Sequence, residues 1–141
     1  MSRETYSDGL LHGILAGAKV IAVVGASPKP DRDSHQVMAM LQRHGYRTIP
    51  VNPQAAGSSI LGERVYGSLA EVPDRIDIVD VFRNSEAAGA VVIEAADLGL
   101  KTIWLQLGVR NDPAAAMARA KGATVIQDRC IKVEYWRVMG A

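Results

Sequence analysis

Residues Lys19 to Gly25 read KVIAVVG, an apolar, β-branched run that stops on a glycine and opens into ASPKPDRD. A run with no polar alternation fits a strand covered on both faces, which is the signature of a parallel sheet. Parallel strands cannot be joined by tight turns and need helical crossovers between them. This one segment therefore predicts an α/β architecture, and the rest of the chain is read against it.

Four more strand-like runs follow: Tyr46 to Val51 (YRTIPV), Ile76 to Phe82 (IDIVDVF), Lys101 to Leu105 (KTIWL) and the short Ala123 to Ile126. Helical spacing fills the intervals. Ser7 is a cap for a helix with Leu10, Leu11, Ile14 and Leu15 on one face, ended by Gly17. A helix from about Ser34 to His44 turns Val37, Met40 and Leu41 inward and ends at Gly45. Ser85 or Asn84 caps another that runs to about Leu98, with Ala88, Val91, Val92 and Ala95 inward. Asp112 followed by Pro113 is read as an N-cap and a first-turn proline opening an alanine-rich helix that ends at Gly122. The last helix is expected over Ile131 to Val138. Gln54 to Gly62 reads as loop, and Tyr66 to Val72 as a short helical turn. The expectation is one domain over residues 1–141, a doubly wound parallel sheet of five strands with helices on both faces.

The composition agrees with a folded domain and narrows the function classes. Of 141 residues, 48% are hydrophobic and 22% charged, which is ordinary for a soluble globular chain. Sixteen basic side chains balance 15 acidic ones and the net charge is +1, so the basic surplus of a duplex-DNA binder is missing and no nucleic-acid partner is expected. The lone Cys130 excludes a disulfide framework within the chain and suits a reducing, cytoplasmic setting. The apolar stretch Leu10 to Ala26 is interrupted by His12 and Lys19 and preceded by Glu4 and Asp8. It is too short to span a bilayer and lacks a basic leader, so no membrane association is expected.

Doubly wound sheets bind their ligands outside the carboxyl ends of the strands, where the strand order reverses. Four strand ends carry distinctive tails here: Gly25-Ala26-Ser27-Pro28-Lys29-Pro30-Asp31-Arg32, Asn52-Pro53, Arg83-Asn84 and Gln106-Leu107-Gly108. A small-residue loop admits a ligand to the backbone, and the helix after it presents free N–H groups and a positive dipole end. Lys29 and Arg32 either clamp phosphate or solvate the loop. Arg83, straight after a buried strand, is read as functional. Ser34 either touches phosphate or caps its helix. The dinucleotide fingerprint is broken: Ser27 and Pro30 stand at its second and third glycine positions, and Val51-Asn52-Pro53 brings no carboxylate for a ribose. Both departures count against NAD.

Taken in order, GASPKPDRDSH, GYRTIPVNP, SL..VP..IDIVDVFR, EA...G.KTIWLQ.G and DRC resemble the stand-alone CoA-binding domain family, from about Leu10 to Val133. The same Rossmann-like fold forms the amino-terminal domain of the succinyl-CoA synthetase α subunit and of ADP-forming acyl-CoA synthetases. The resemblance implies that Gly25, Ala26 and Ser27 wrap the phosphates of coenzyme A. It implies too that Asn52 and Pro53 line the nucleotide crevice, that Phe82 and Arg83 lie beside pantetheine or phosphate, and that Gln106 and Gly108 flank the adenine or pantetheine side. With Lys29, Arg32 and Ser34 these make the candidate site for coenzyme A or an acyl-CoA. The synthetases carry their phosphorylated histidine in a following domain, so by this resemblance the binding half is expected here without the catalytic half.

The remaining polar residues give no catalytic constellation. His12, His35 and His44 show no metal spacing with one another or with Cys130. His12 and His44 are expected on the surface, while His35 opens a helix near the loop. Asp80, inside an apolar strand, is either a catalytic base or, by preference, a carboxylate held by a neighbouring loop. By the same resemblance Cys130 falls where the synthetases have a cysteine-containing loop near the ligand; it is either a thiol beside coenzyme A or, by preference, a small buried residue. Trp104 is expected to be a core residue. Tyr135 and Trp136 either pack on the sheet or form the contact of a homodimer. The leading expectation is non-covalent binding of coenzyme A without chemistry. An NAD(P)-dependent oxidoreductase and a CoA-ligase subunit that needs a partner chain stay open.

Overall fold

The computed structural model describes residues 4–140. In chain order the elements are α1 Asp8–Gly17, β1 Val20–Val24, α2 Asp33–Arg43, β2 Arg47–Val51, β3 Ser59–Ile60, β4 Glu63–Arg64, β5 Ile78–Val81, α3 Ser85–Asp97, β6 Thr102–Leu105, α4 Asp112–Ala120, β7 Thr124–Ile126 and α5 Ile131–Met139. The five expected strands form one parallel sheet in the order β2-β1-β5-β6-β7. The chain moves from β1 outward to β2, then crosses back to place β5 on the other side of β1. The strand order therefore reverses between β1 and β5, and a crevice opens at their carboxyl ends.

Strand alternation divides the core into two layers. Ile21, Val23, Ile78, Trp104 and Ile126 face α1, α2 and α5. Ala22, Val24, Val79, Val81, Ile103, Leu105 and Val125 face α3 and α4. Both layers are closed, which is why these strands read as unbroken apolar runs. The alanines of α3 and α4 (Ala88, Ala95, Ala114, Ala115 and Ala118) let those helices sit close on the β-branched sheet. Trp104 is fully buried and its indole Nε1 donates to the Arg129 carbonyl at 2.8 Å, so its one polar atom is satisfied.

Three local expectations change, and one open choice of cap is resolved. The cap of α4 is Asn111, whose side chain accepts from Ala114 N at 3.1 Å, and Asp112 is already helical. Asn84, not Ser85, caps α3, accepting from Ala87 N at 2.8 Å. The Gln54–Gly62 stretch is not all loop: β3 pairs with β4 as a hairpin that buries Ile60 and precedes buried Val65. Its two central residues, Leu61 and Gly62, have φ of 49° and 81°, as a two-residue primed turn requires. Leucine is a poor signal for that conformation. His44 is half-buried rather than on the surface, its ring centroid 4.6 Å from that of Tyr135 and 5.1 Å from that of Trp136. The short turn expected within Tyr66–Val72 is a 3-10 turn at Leu69–Glu71. No helix among the described residues is long and apolar enough to cross a membrane.

Asp80 departs from expectation most. It sits mid-strand in β5, in register with Val23 and Trp104, and is fully buried. Among the described residues neither carboxyl oxygen has a hydrogen-bond partner, so the loop contact expected for it is not made. Burial without a partner pushes its pKa well above the ordinary carboxylate range.

Candidate functional site

Gly25 stands at the point where the strand order reverses. Its φ is +87°, and its N–H donates to the Val51 carbonyl at 2.9 Å. A Cβ at this position would lie 2.3 Å from the Phe82 carbonyl oxygen and 3.0 Å from the Arg83 side chain. The glycine is thus required by the approach of two strand ends, before any ligand is considered.

The loop after Gly25 is braced from two sides. Asn52 Nδ2 donates to the Ala26 carbonyl at 2.8 Å, and Asn52 Oδ1 accepts from Gln54 N at 3.0 Å. Ser34 is buried in the first turn of α2, and its Oγ accepts from Ser27 N at 3.1 Å. The cap position of α2 belongs to Arg32, which makes no side-chain cap bond, so Ser34 is a brace and not a cap. Ser27 Oγ in turn accepts from Lys29 N at 3.1 Å, and Arg32 N donates to the Lys29 carbonyl at 3.1 Å. Within residues 25–32 four N–H groups are therefore engaged, and two prolines have none. Side-chain charge has to do more of any anion binding than the backbone does. Lys29, Arg32 and Arg83 are all exposed at this end of the sheet.

Two clefts meet here and share Phe82 as a wall. The smaller, about 320 Å³, is polar and is lined by Gly25, Asn52, Pro53, Gln54, Phe82 and Arg83. The larger, about 480 Å³, lies over α2, the loop after β6 and the start of α5. Its apolar lining is Val37, Phe82, Leu107, Val109 and Val133. Asp33, Gln36, Gln106, Cys130 and Lys132 supply the polar part. Gln106 is buried and its Oε1 accepts from Ile131 N at 3.1 Å, tying the end of β6 to the first turn of α5.

Of the residues expected in the site, Gly25, Asn52, Pro53, Phe82, Arg83 and Gln106 line the two clefts. Ala26 is buried in the core, Ser27 and Ser34 hold the loop, and Lys29 and Arg32 project from it. Gly108, with φ of +81°, donates to Asp128 Oδ1 at 2.8 Å beyond the cleft walls. Cys130 is half-buried and borders the larger cleft, against the preferred reading as a small buried residue and in keeping with the alternative near the candidate site. Sequence reasoning did not place in the site Gln54 of the smaller cleft or Asp33, Gln36, Val37, Leu107, Val109, Lys132 and Val133 of the larger. The one signal was that Leu107 and Val133 are apolar at positions where the local pattern asks for none.

A five-stranded parallel sheet with helices on both faces, a crevice at the reversal point and a glycine turn there define a Rossmann-like domain of the α/β class. The chain belongs to the CoA binding domain family, whose model matches residues 19–136. It is 45% identical over 122 residues to the uncharacterized protein YneT of Bacillus subtilis, covering 86% of this chain and 89% of that one. It is 31% identical over 93 residues to the α subunit of the ADP-forming acetate–CoA ligase I of Pyrococcus furiosus, but this match spans only 20% of that subunit and 63% of this chain. A hypothetical protein from Pyrococcus horikoshii superposes with a TM-score of 0.91 at 35% identity, over 99% of this chain and all of that one.

Proposed function

We propose that this chain binds coenzyme A non-covalently at the carboxyl ends of β1, β2 and β5 and carries out no chemistry by itself. One observation bears most of the weight: within the family-matched residues, Gly25 and Arg83 meet across the strand-order reversal and frame a polar cleft with Asn52 and Pro53. The diphosphate would lie in this cleft against Arg83, near the open amino end of α2, with Lys29 and Arg32 adding charge from the loop. The pantetheine arm would then pass Phe82 into the larger cleft, where Gln106 and Gln36 offer amides. The end of β2 supports coenzyme A over NAD. It brings Asn52, whose amide already holds the loop and the following turn, and no carboxylate for a ribose.

Titration calorimetry with coenzyme A, acetyl-CoA and NAD⁺ tests this reading. Saturable one-site binding of coenzyme A that weakens in Arg83→Ala supports it. Absence of binding at millimolar coenzyme A, or tighter binding of NAD⁺, overturns it. The match to a ligase α subunit favours a second reading, in which the chain serves as the CoA-binding part of a ligase completed by a partner chain. Co-purification with a nucleotide-grasp protein tests that.

A further inference from the structure

The two clefts differ in kind and share a wall. One is polar and bordered by Arg83, and the other is mainly apolar. A ligand that fills both has an anionic end and an apolar end. Among the described residues seven large apolar side chains are exposed, and two of them, Leu107 at 64% and Val133 at 56%, line this one cleft from different elements. Leu107 belongs to the loop after β6 and Val133 to the first turn of α5. Neither packs into either core cluster. Exposed apolar side chains converging on a concave surface mark a place where a ligand covers them.

We infer that the larger cleft takes an uncharged acyl chain, so that the preferred ligand is an acyl thioester of coenzyme A and not the free thiol. This rests on the coenzyme A reading above. Val37, Phe82 and Val109 form the inner wall, and Leu107 and Val133 the outer lip that the chain covers. The cleft, at about 480 Å³, is larger than the polar one beside it and holds the end of the pantetheine arm together with a short chain. Lys132 also borders it, which makes a dicarboxylic acyl group the competing occupant.

Calorimetry with coenzyme A, acetyl-CoA, butyryl-CoA, hexanoyl-CoA and succinyl-CoA separates the cases. Full burial of a methylene contributes about 0.8 kcal/mol, or about fourfold in Kd, and an open cleft realises about half of that. Hexanoyl-CoA is expected to bind at least about tenfold more tightly than acetyl-CoA, a sum over its four added methylenes. In a Leu107→Asp, Val133→Asp double variant the ratio of the two affinities falls to about one. Both positions are exposed, so the variant keeps the fold. Equal binding of coenzyme A and every acyl-CoA overturns the acyl site and leaves the coenzyme A reading intact. Tighter binding of succinyl-CoA than of butyryl-CoA overturns an uncharged occupant. Failure of all five to bind overturns the coenzyme A reading itself.

Discussion

The backbone of Gly25 and the carbonyl of Phe82 approach so closely that a methyl group on Gly25 would sit 2.3 Å from that oxygen. This contact joins the ends of β1 and β5 and fixes where the crevice opens. Gly25→Ala must both move the Phe82 carbonyl and hold a side chain at φ +87°. The expected cost is about 2–4 kcal/mol, seen as a lower urea midpoint with an unchanged slope. Coenzyme A affinity falls with it. An alanine variant as stable as the parent would show that the two strand ends can separate freely.

Arg83 lies along that same contact, its side chain 3.0 Å from the position a Gly25 Cβ would take, with its head exposed. Removing a charged partner of a phosphate costs about 1.5–3 kcal/mol, or about ten- to a hundredfold in Kd. Arg83→Ala is expected at the lower end of that range because the head is solvated, with thermal stability unchanged. Binding of coenzyme A by the variant should also respond less steeply to salt. Equal affinity in both proteins would move the diphosphate elsewhere.

Asp80 makes stability depend on pH in an unusual direction. Its pKa is raised by burial in the fold, so the folded chain keeps a proton that the unfolded chain releases above about its ordinary value of 3.8. The stabilising effect of that proton is complete below 3.8 and is lost as pH rises toward the folded value. Asp80→Val puts a β-branched apolar residue into a β-branched strand. It is expected to raise stability at pH 7 by about 1–3 kcal/mol and to flatten the decline of stability above pH 4. Chemical denaturation of both proteins from pH 4 to 8 measures this. A steeper decline in the variant would overturn it.

Glu4 acts in the opposite direction. Burial alone would raise its pKa, but hydrogen bonds from Arg119, Tyr6 and Gln127 outweigh burial and bring it to about 2. Arg119 Nη1 donates to Glu4 Oε1 at 3.0 Å, and Gln127 Nε2 to Glu4 Oε2 at 3.2 Å, tying the start of the chain to α4 and the end of β7. A lowered pKa stabilises the fold above the ordinary value of 4.5, and that contribution disappears as pH falls through about 2. Glu4→Gln should lose about 1 kcal/mol at pH 7 after allowance for screening at this partly exposed pair, and progressively less as pH falls toward and below about 2. An equal loss at both pH values would make the effect one of packing.

The strands were legible because both-face burial leaves an unbroken apolar run, and each of the five expected runs is a strand of the sheet. The 3.6-residue spacing found every α-helix among the described residues, while capping set the start of α4 one residue late, because Asn111 and Asp112 are both good caps, and offered Ser34 for α2, whose cap position is Arg32. The glycine turn and the basic residues around it followed from local composition and the family resemblance. Other features could not be read, because they arise from contacts between residues far apart in the chain. Leu61 takes a positive φ only because β3 and β4 pair over a buried Ile60. Asn52 and Ser34 are spoken for because both turn toward the same loop from different elements. Leu107 and Val133, 26 positions apart, become one lip only when α5 docks beside the end of β6 through Gln106. Periodicity carries the secondary structure and the layer each side chain faces, since those depend on near neighbours. Which strand ends meet, and what cleft they leave, was decided by the order of strands in the sheet, which the tertiary contacts alone establish.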